Sequence, residues 1–196
     1  MHNLFADQNL IKVLKEGGVA VIPTDTLYGV VASAMNQPAV EKIYDIRQRN
    51  PEKACIILIA DIADIAKFSI NLSQEQKKIL RGYWQEETYG PDDKRGAVSI
   101  IMPCEDNNFE YLHRGTNTLA FRVPALEDLR YLLATTGPLV APSANIEGLD
   151  PAKTIEEAKK YFGDRVDLYI DEGRISSPAS KLIKLHSDGS VEVLRP

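Results

Sequence analysis

Short, β-branched apolar runs recur along the chain, separated by stretches whose apolar residues return at helical spacing, and this alternation limits the fold to packed layers of helix and sheet. Strands are predicted at "VAVIP" (19–23), "ACIILIA" (54–60), "AVSIIM" (97–102), "TLAFRVP" (118–124), "PLV" (138–140), "VDLYID" (166–171) and "KLIKL" (181–185). Between them, Leu10, Ile11 and Leu14 follow Asp7 and stop at Gly17 and Gly18, while Val40, Ile43, Tyr44 and Arg47 keep one face through "PAVEKIYDIRQR", with Pro38 suited to a first turn. Ser73 with Gln76, and Thr154 with Glu157, have capping-box spacing ahead of "QKKIL" and "AKKYF". Asp188 and Gly189 predict a hairpin between "KLIKL" and "SVEVL". With no repeat, low-complexity segment or linker, residues 1–196 are expected to form one α/β domain with a mixed sheet.

The chain has 196 residues, 44% of them hydrophobic, enough for the core of such a domain. Its net charge of −5 argues against a surface that clings to phosphate backbones throughout, so an anion site must be built locally. Cys55 and Cys104 match no zinc or redox spacing and are expected to be reduced and unpaired. The opening "MHNLFADQNLIKVLKEGG" mixes charges with apolar residues, which suits neither a signal peptide nor a membrane span; a cytoplasmic protein with no membrane partner is expected.

The common catalytic signatures are missing: no G-x-x-x-x-G-K-S/T loop, no G-x-G-x-x-G after a strand, no H-E-x-x-H. His2, His113 and His186 have no nucleophile elbow near them and read as surface or packing residues. What stands out is a set of polar residues at the mouths of predicted elements. Thr24, Asp25 and Thr26 follow "VAVIP"; Arg47 and Arg49 end the second helix; Arg122 interrupts "LAFRVP"; Ser143 and Asn145 follow "PLVAP"; Ser180 precedes "KLIKL". Open sheets bind ligands at such ends, and arginine forks joined by hydroxyls and an amide suit phosphate or carboxylate. Each also has a plainer reading: Arg47 and Arg49 as a helix C-terminus, Ser143 and Asn145 as turn makers, and Arg122 on the wet face of a half-exposed strand.

Five ordered motifs carry a resemblance. "VIPTDTLYGVVASA" is similar to the P-T-E/D-T/S-x-Y/F-G strand and turn of the YrdC/TsaC-type family, the L-threonylcarbamoyladenylate synthases. "IYDIRQRNPEKACIILIA" resembles that family's K-x-R segment and strand, "TLAFRVPA" its R-x-P strand, "APSANIEG" its S-A-N-x-S-G loop, and "PASKLIKLHSDGSVEVLRP" its closing S-T-V/I strand and hairpin. The resemblance implies a single YrdC-like domain, a twisted mixed β-sheet flanked by helices with a concave anion-binding cavity. It implies condensation of L-threonine, bicarbonate and ATP to threonylcarbamoyl-AMP and pyrophosphate, with Mg2+ accompanying the ATP and a tRNA-modifying transferase complex receiving the product. By the same resemblance Thr24 and Thr26 would hold threonine, Arg47 and Arg49 the ATP phosphates, Arg122 an anionic group, and Ser143, Asn145 and Ser180 the threonine and nucleotide phosphates.

The sequence departs from the family pattern in three places. Arg47 stands where the family uses lysine, and Asn50 precedes Pro51 where the proline is expected directly; restoring lysine at 47 is expected to leave activity intact or raise it. The W-P-G-P-x-T segment survives only as Trp84, parted from "RGAVS" by an acidic stretch at Glu86 and Glu87. Glu147 replaces the second serine of S-A-N-x-S-G, and Lys181 the threonine of S-T-V/I. The alternative is a diverged paralogue that binds nucleotide, or double-stranded RNA or tRNA, without making an adenylate. A positive surface from Lys42, Arg47, Arg49, Lys53, Lys94, Arg95 and Arg114 would serve it, and steep salt dependence would reveal it.

Overall fold

The computed structural model describes residues 4–84 and 98–196; the expectations at His2, Glu86, Glu87, Lys94, Arg95 and the first residue of "AVSIIM" lie outside them. In chain order the elements are α1 (Gln8–Lys15), β1 (Ala20–Ile22), β2 (Gly29–Ser33), α2 (Gln37–Arg47), β3 (Ile56–Leu58), α3 (Gln74–Trp84), β4 (Val98–Pro103), α4 (Glu110–His113), β5 (Thr118–Arg122), α5 (Glu127–Thr136), β6 (Leu139–Val140), α6 (Ile155–Phe162), β7 (Leu168–Tyr169), β8 (Lys181–Leu185) and β9 (Val191–Arg195). Among the described residues the strands form one sheet in the order β7-β1-β2-β6-β3-β5-β4-β8-β9. The pairs β1/β7, β3/β5 and β4/β8 are parallel and the rest antiparallel, so the sheet is mixed.

The helix ends follow from their capping residues. Asp7 Oδ1 accepts from the N–H groups of Asn9 and Leu10 and starts α1. Ser73 and Gln76 close the reciprocal box at α3, at 3.1 and 2.9 Å. At α6 only half of the box forms: Thr154 accepts from the Glu157 N–H, but the Glu157 carboxylate turns to the Lys153 N–H. Besides the four-residue α4, two elements carry no such signal and are not legible in the pattern. Helix α5 starts at Leu126 with no side-chain cap, and β2 begins on Gly29 inside what reads as a turn. A Cβ on Gly29 would lie 3.3 Å from Thr24 Cγ2, a tight approach that would push the 24–28 turn back from the strand by a few tenths of an ångström.

The sheet buries both faces for part of its width. Along β1, Val21 joins the larger core with Ile43, Ile57 and Phe121, whereas Ala20 and Ile22 join a second core with Leu10 and Leu14 of α1 and Leu129, Leu132 and Leu133 of α5. Helices α1 and α5 cover only one half of that second face. Beyond Leu58 it continues as Ile56, Ala120, Ile101 and Leu182, which no helix of the described residues covers, and there the cavity opens. Cys55 and Cys104 are buried free thiols. His113 is buried, its Nδ1 accepting the Gly115 N–H, and half-buried His186 pairs with Glu192. No helix of the described residues is long and apolar enough to cross a membrane.

Candidate functional site

The cavity has a volume of about 500 Å³ and lies over the open half of the sheet. Its floor alternates with the core: Thr118, Ala120 and Arg122 of β5 face it, while Leu119 and Phe121 point into the larger core. The charged side chains among its described lining are Arg49, Lys53, Arg122 and Arg195; no carboxylate is among them. In a chain of net charge −5 this is a local reversal of sign, the field expected where a polyanion is held.

Arg122 is 5% exposed. Its Nη1 donates to Thr26 Oγ1 at 3.1 Å, and Nη2 lies 2.9 Å from Asp25 Oδ1. Its Nε is buried and has no acceptor among the described residues. Burial lowers the pKa of this guanidinium and the Asp25 charge opposes the shift. The arginine on the strand is therefore paired and dry, not on a wet face. Thr24 Oγ1 donates to the Leu27 carbonyl at 2.7 Å and accepts the Thr26 and Leu27 N–H groups, which fixes the turn that carries Thr26 to Arg122.

The two arginines at the end of α2 part company. Gln48 takes a left-handed conformation (φ 49°), so Arg47 and Arg49 leave on opposite sides of the chain. Arg49 reaches the cavity wall, donating from Nε and Nη2 to the carbonyls of Lys53 and Ala54. Arg47, expected to touch phosphate, is 2% exposed and outside the cavity lining. Its Nε donates to the Asn145 carbonyl (3.0 Å), and its Nη2 to Asn145 Oδ1 (3.1 Å) and Ser143 Oγ (3.4 Å). Burial, with the Arg49 charge second, pushes its pKa down to about 10, so it stays cationic at neutral pH. Arg47 holds the "VAPSAN" loop from beneath.

That loop divides its labour too. Asn145 is buried: Oδ1 accepts from Ser143 and Arg47, and Nδ2 donates to the carbonyls of Ile146 and Leu149. With every polar valence engaged, it is a structural amide and not a free donor. Ser143 does line the cavity, extending the sheet by a bridge to Gly29, and since its proton is spent on Asn145 at 2.6 Å its oxygen meets the cavity as an acceptor. Asn145→Ala should therefore cost about 2 to 3 kcal/mol of stability, because the buried Arg47 Nη2 loses its acceptor at 3.1 Å and the carbonyls of Ile146 and Leu149 each lose a donor. Ser143→Ala should melt within about 1 kcal/mol of the parent while weakening ligand use. Urea unfolding and product assays on both variants check this; equal stability losses would give Ser143 the same structural role.

Two cavity cations were not singled out as site residues in the sequence. Lys53 lies in the loop after α2. Arg195 is delivered by a β-bulge: Val193 pairs with Ile183, but the next pair is Arg195 with Leu182, so Arg195 shares the cavity face of Leu182. Its Nε and Nη2 donate to the Ser180 carbonyl (2.9 and 2.6 Å), and Ser180 Oγ lies 2.9 Å from Ser99 Oγ, fixing Ser180 at the cavity edge. Of the basic residues expected to form an RNA surface, Arg47 is buried and three others make ion pairs within the chain. Lys42 pairs with Asp167, Lys53 with Glu147, and Arg114 pairs with Glu41 and stacks 3.8 Å from the Tyr44 ring centre.

A family model for the Sua5/YciO/YrdC domain, described as "Telomere recombination", matches residues 12–196. The chain is 31% identical over 158 residues to the threonylcarbamoyl-AMP synthase of Idiomarina loihiensis, covering 79% of this chain and 80% of that one. It is 28% identical over 184 residues to the enzyme of the same name from Pseudoalteromonas translucida, covering 92% and 93%. The fold superposes on P. abyssi Sua5 complexed with L-threonine with a TM-score of 0.80 at 25% identity, covering 96% of this chain and 53% of that one, so the chain spans about half of that longer protein. The cavity on the uncovered half of the sheet, the arginine strand and the S-A-N loop thus sit in a fold shared along nearly the whole chain, which belongs to the Sua5/YciO/YrdC family.

Proposed function

We propose that this chain is a threonylcarbamoyl-AMP synthase, a nucleotidyltransferase that condenses L-threonine, bicarbonate and ATP. The observation that carries the reading is the cavity of about 500 Å³ with four cationic side chains and no carboxylate in its described lining. The reaction needs such a place. The threonine amine attacks bicarbonate and water leaves, giving a carbamate; a carbamate oxygen then attacks the α-phosphorus of ATP, and pyrophosphate departs. Two anions must approach each other, and the pentavalent transition state gathers charge that preorganised donors stabilise.

Arg122, which lines the cavity, suits a carboxylate, and Thr26 and the acceptor oxygen of Ser143 suit the neighbouring amine and hydroxyl of threonine. Arg49, Lys53 and Arg195 suit the triphosphate. Magnesium would arrive with the nucleotide, held by phosphate and water: among the described residues no cluster of three or more His, Cys, Asp or Glu could cage a metal ion. The adenylate would pass to a transferase complex that modifies tRNA.

The test supplies purified protein with ATP, magnesium, bicarbonate and L-threonine. Mass spectrometry should find threonylcarbamoyl-AMP, with one pyrophosphate released for each. Nucleotide binding without adenylate would replace this reading by the binding-only paralogue.

A further inference from the structure

Glu147 takes the place of a serine in the S-A-N-x-S-G pattern, and Asn50 takes the place of a proline; the structure joins these two departures. Proline has no N–H to give, whereas the Asn50 N–H donates to Glu147 Oε2, while Glu147 Oε1 pairs with the Lys53 ammonium. The Glu147 N–H donates in turn to the Arg47 carbonyl at 2.9 Å. One carboxylate thus ties the loop that bears Arg49 and Lys53 to the loop that bears Ser143. Lys53 also lines the cavity, with its side chain 58% exposed, so this cation is shared between an internal carboxylate and the space where an anion would bind.

We propose that Glu147 is an affinity-setting residue of the anion site: it acts as an internal counter-ion that a ligand phosphate must displace from Lys53. The inference rests on the function proposed above for its choice of ligand, but not for its physics. The Glu147 carboxylate is held ionised by Lys53 and the Asn50 N–H, which lower its pKa, so it competes at full charge at neutral pH. The remaining ties of the 49–54 loop do not depend on it: the Lys53 carbonyl accepts from Arg49 and from the Tyr44 hydroxyl, and the Asn50 carbonyl accepts from the Lys53 N–H. A neutral amide at 147 keeps an acceptor for the Asn50 N–H and removes the competing charge together with the acceptor that faces Lys53.

Glu147→Gln, Lys53→Met and the double variant would be titrated calorimetrically with ATP and, separately, with inorganic tripolyphosphate, with Glu147→Asp as the conservative control. Glu147→Gln should bind either anion about 2- to 5-fold more tightly, the range of an exposed ion pair. Glu147→Asp should return towards the parent value, and Lys53→Met should abolish the gain. If the parent makes the adenylate, Glu147→Gln should lower the KM for ATP without raising kcat. Weaker or unchanged binding in Glu147→Gln, or a gain that survives Lys53→Met, would overturn the proposal. Tripolyphosphate binding without ATP binding would sink the nucleotide reading while leaving this one standing; binding of neither anion to the parent would sink both.

Discussion

Arg122→Leu should lower adenylate formation by at least about 100-fold, the loss of more than one hydrogen bond to a charged group, and should cost about 3 to 5 kcal/mol of stability. The two losses have different causes. Stability falls because Asp25, whose side chain is 6% exposed, loses the guanidinium 2.9 Å away and becomes a buried charge with no counter-ion. Activity falls because the cation that lines the cavity and holds Thr26 in place is gone. Arg122→Leu combined with Asp25→Leu separates them: most of the stability should return and none of the activity. Denaturant unfolding and product formation on the single and double variants measure this. A double variant that regains activity with its stability would make the pair a structural element only.

The second large effect concerns Arg47, and it runs against the expectation from the family pattern. Restoring the lysine found there was expected to leave activity intact or raise it. The structure gives the opposite sign. Arg47 spans the Asn145 carbonyl, Asn145 Oδ1 and Ser143 Oγ with two separate nitrogens of a planar fork. A lysine has one nitrogen on a flexible stem and cannot hold all three. Arg47→Lys should therefore cost about 2 kcal/mol of stability and about 10-fold in product formation, and Arg47→Ala about 4 kcal/mol with little active protein remaining. Thermal melts and the KM for ATP distinguish the routes, since damage to the loop reaches the ligand through Ser143. Wild-type or higher activity in Arg47→Lys would show that residue 47 touches the ligand after all.

Much of this protein was legible in its sequence because short-range physics sets it. Strand alternation, the caps at Asp7 and Ser73 and the Asp188-Gly189 hairpin depend on neighbours a few residues away, and each formed where the pattern put it. The interrupting arginine on β5 was legible for a related reason: a charge inside an apolar run needs a partner, and Asp25 supplies it. Helix α5 and strand β2 escaped because one lacks a side-chain cap and the other starts on glycine, so packing defines both. The roles within the site were a matter for tertiary structure. Arg47 and Arg49 are two residues apart and chemically alike, and one left-handed residue, Gln48, sends the first beneath the S-A-N loop and the second to the cavity. Arg195 faces the ligand space only because a bulge shifts its register, and Glu147 meets Asn50 and Lys53 across more than ninety residues of chain. Residue type and local pattern determined which side chains could serve an anion; the packing of distant segments decided which of them line the cavity, because a guanidinium buried beneath a loop cannot meet a ligand, whereas one in the cavity wall can.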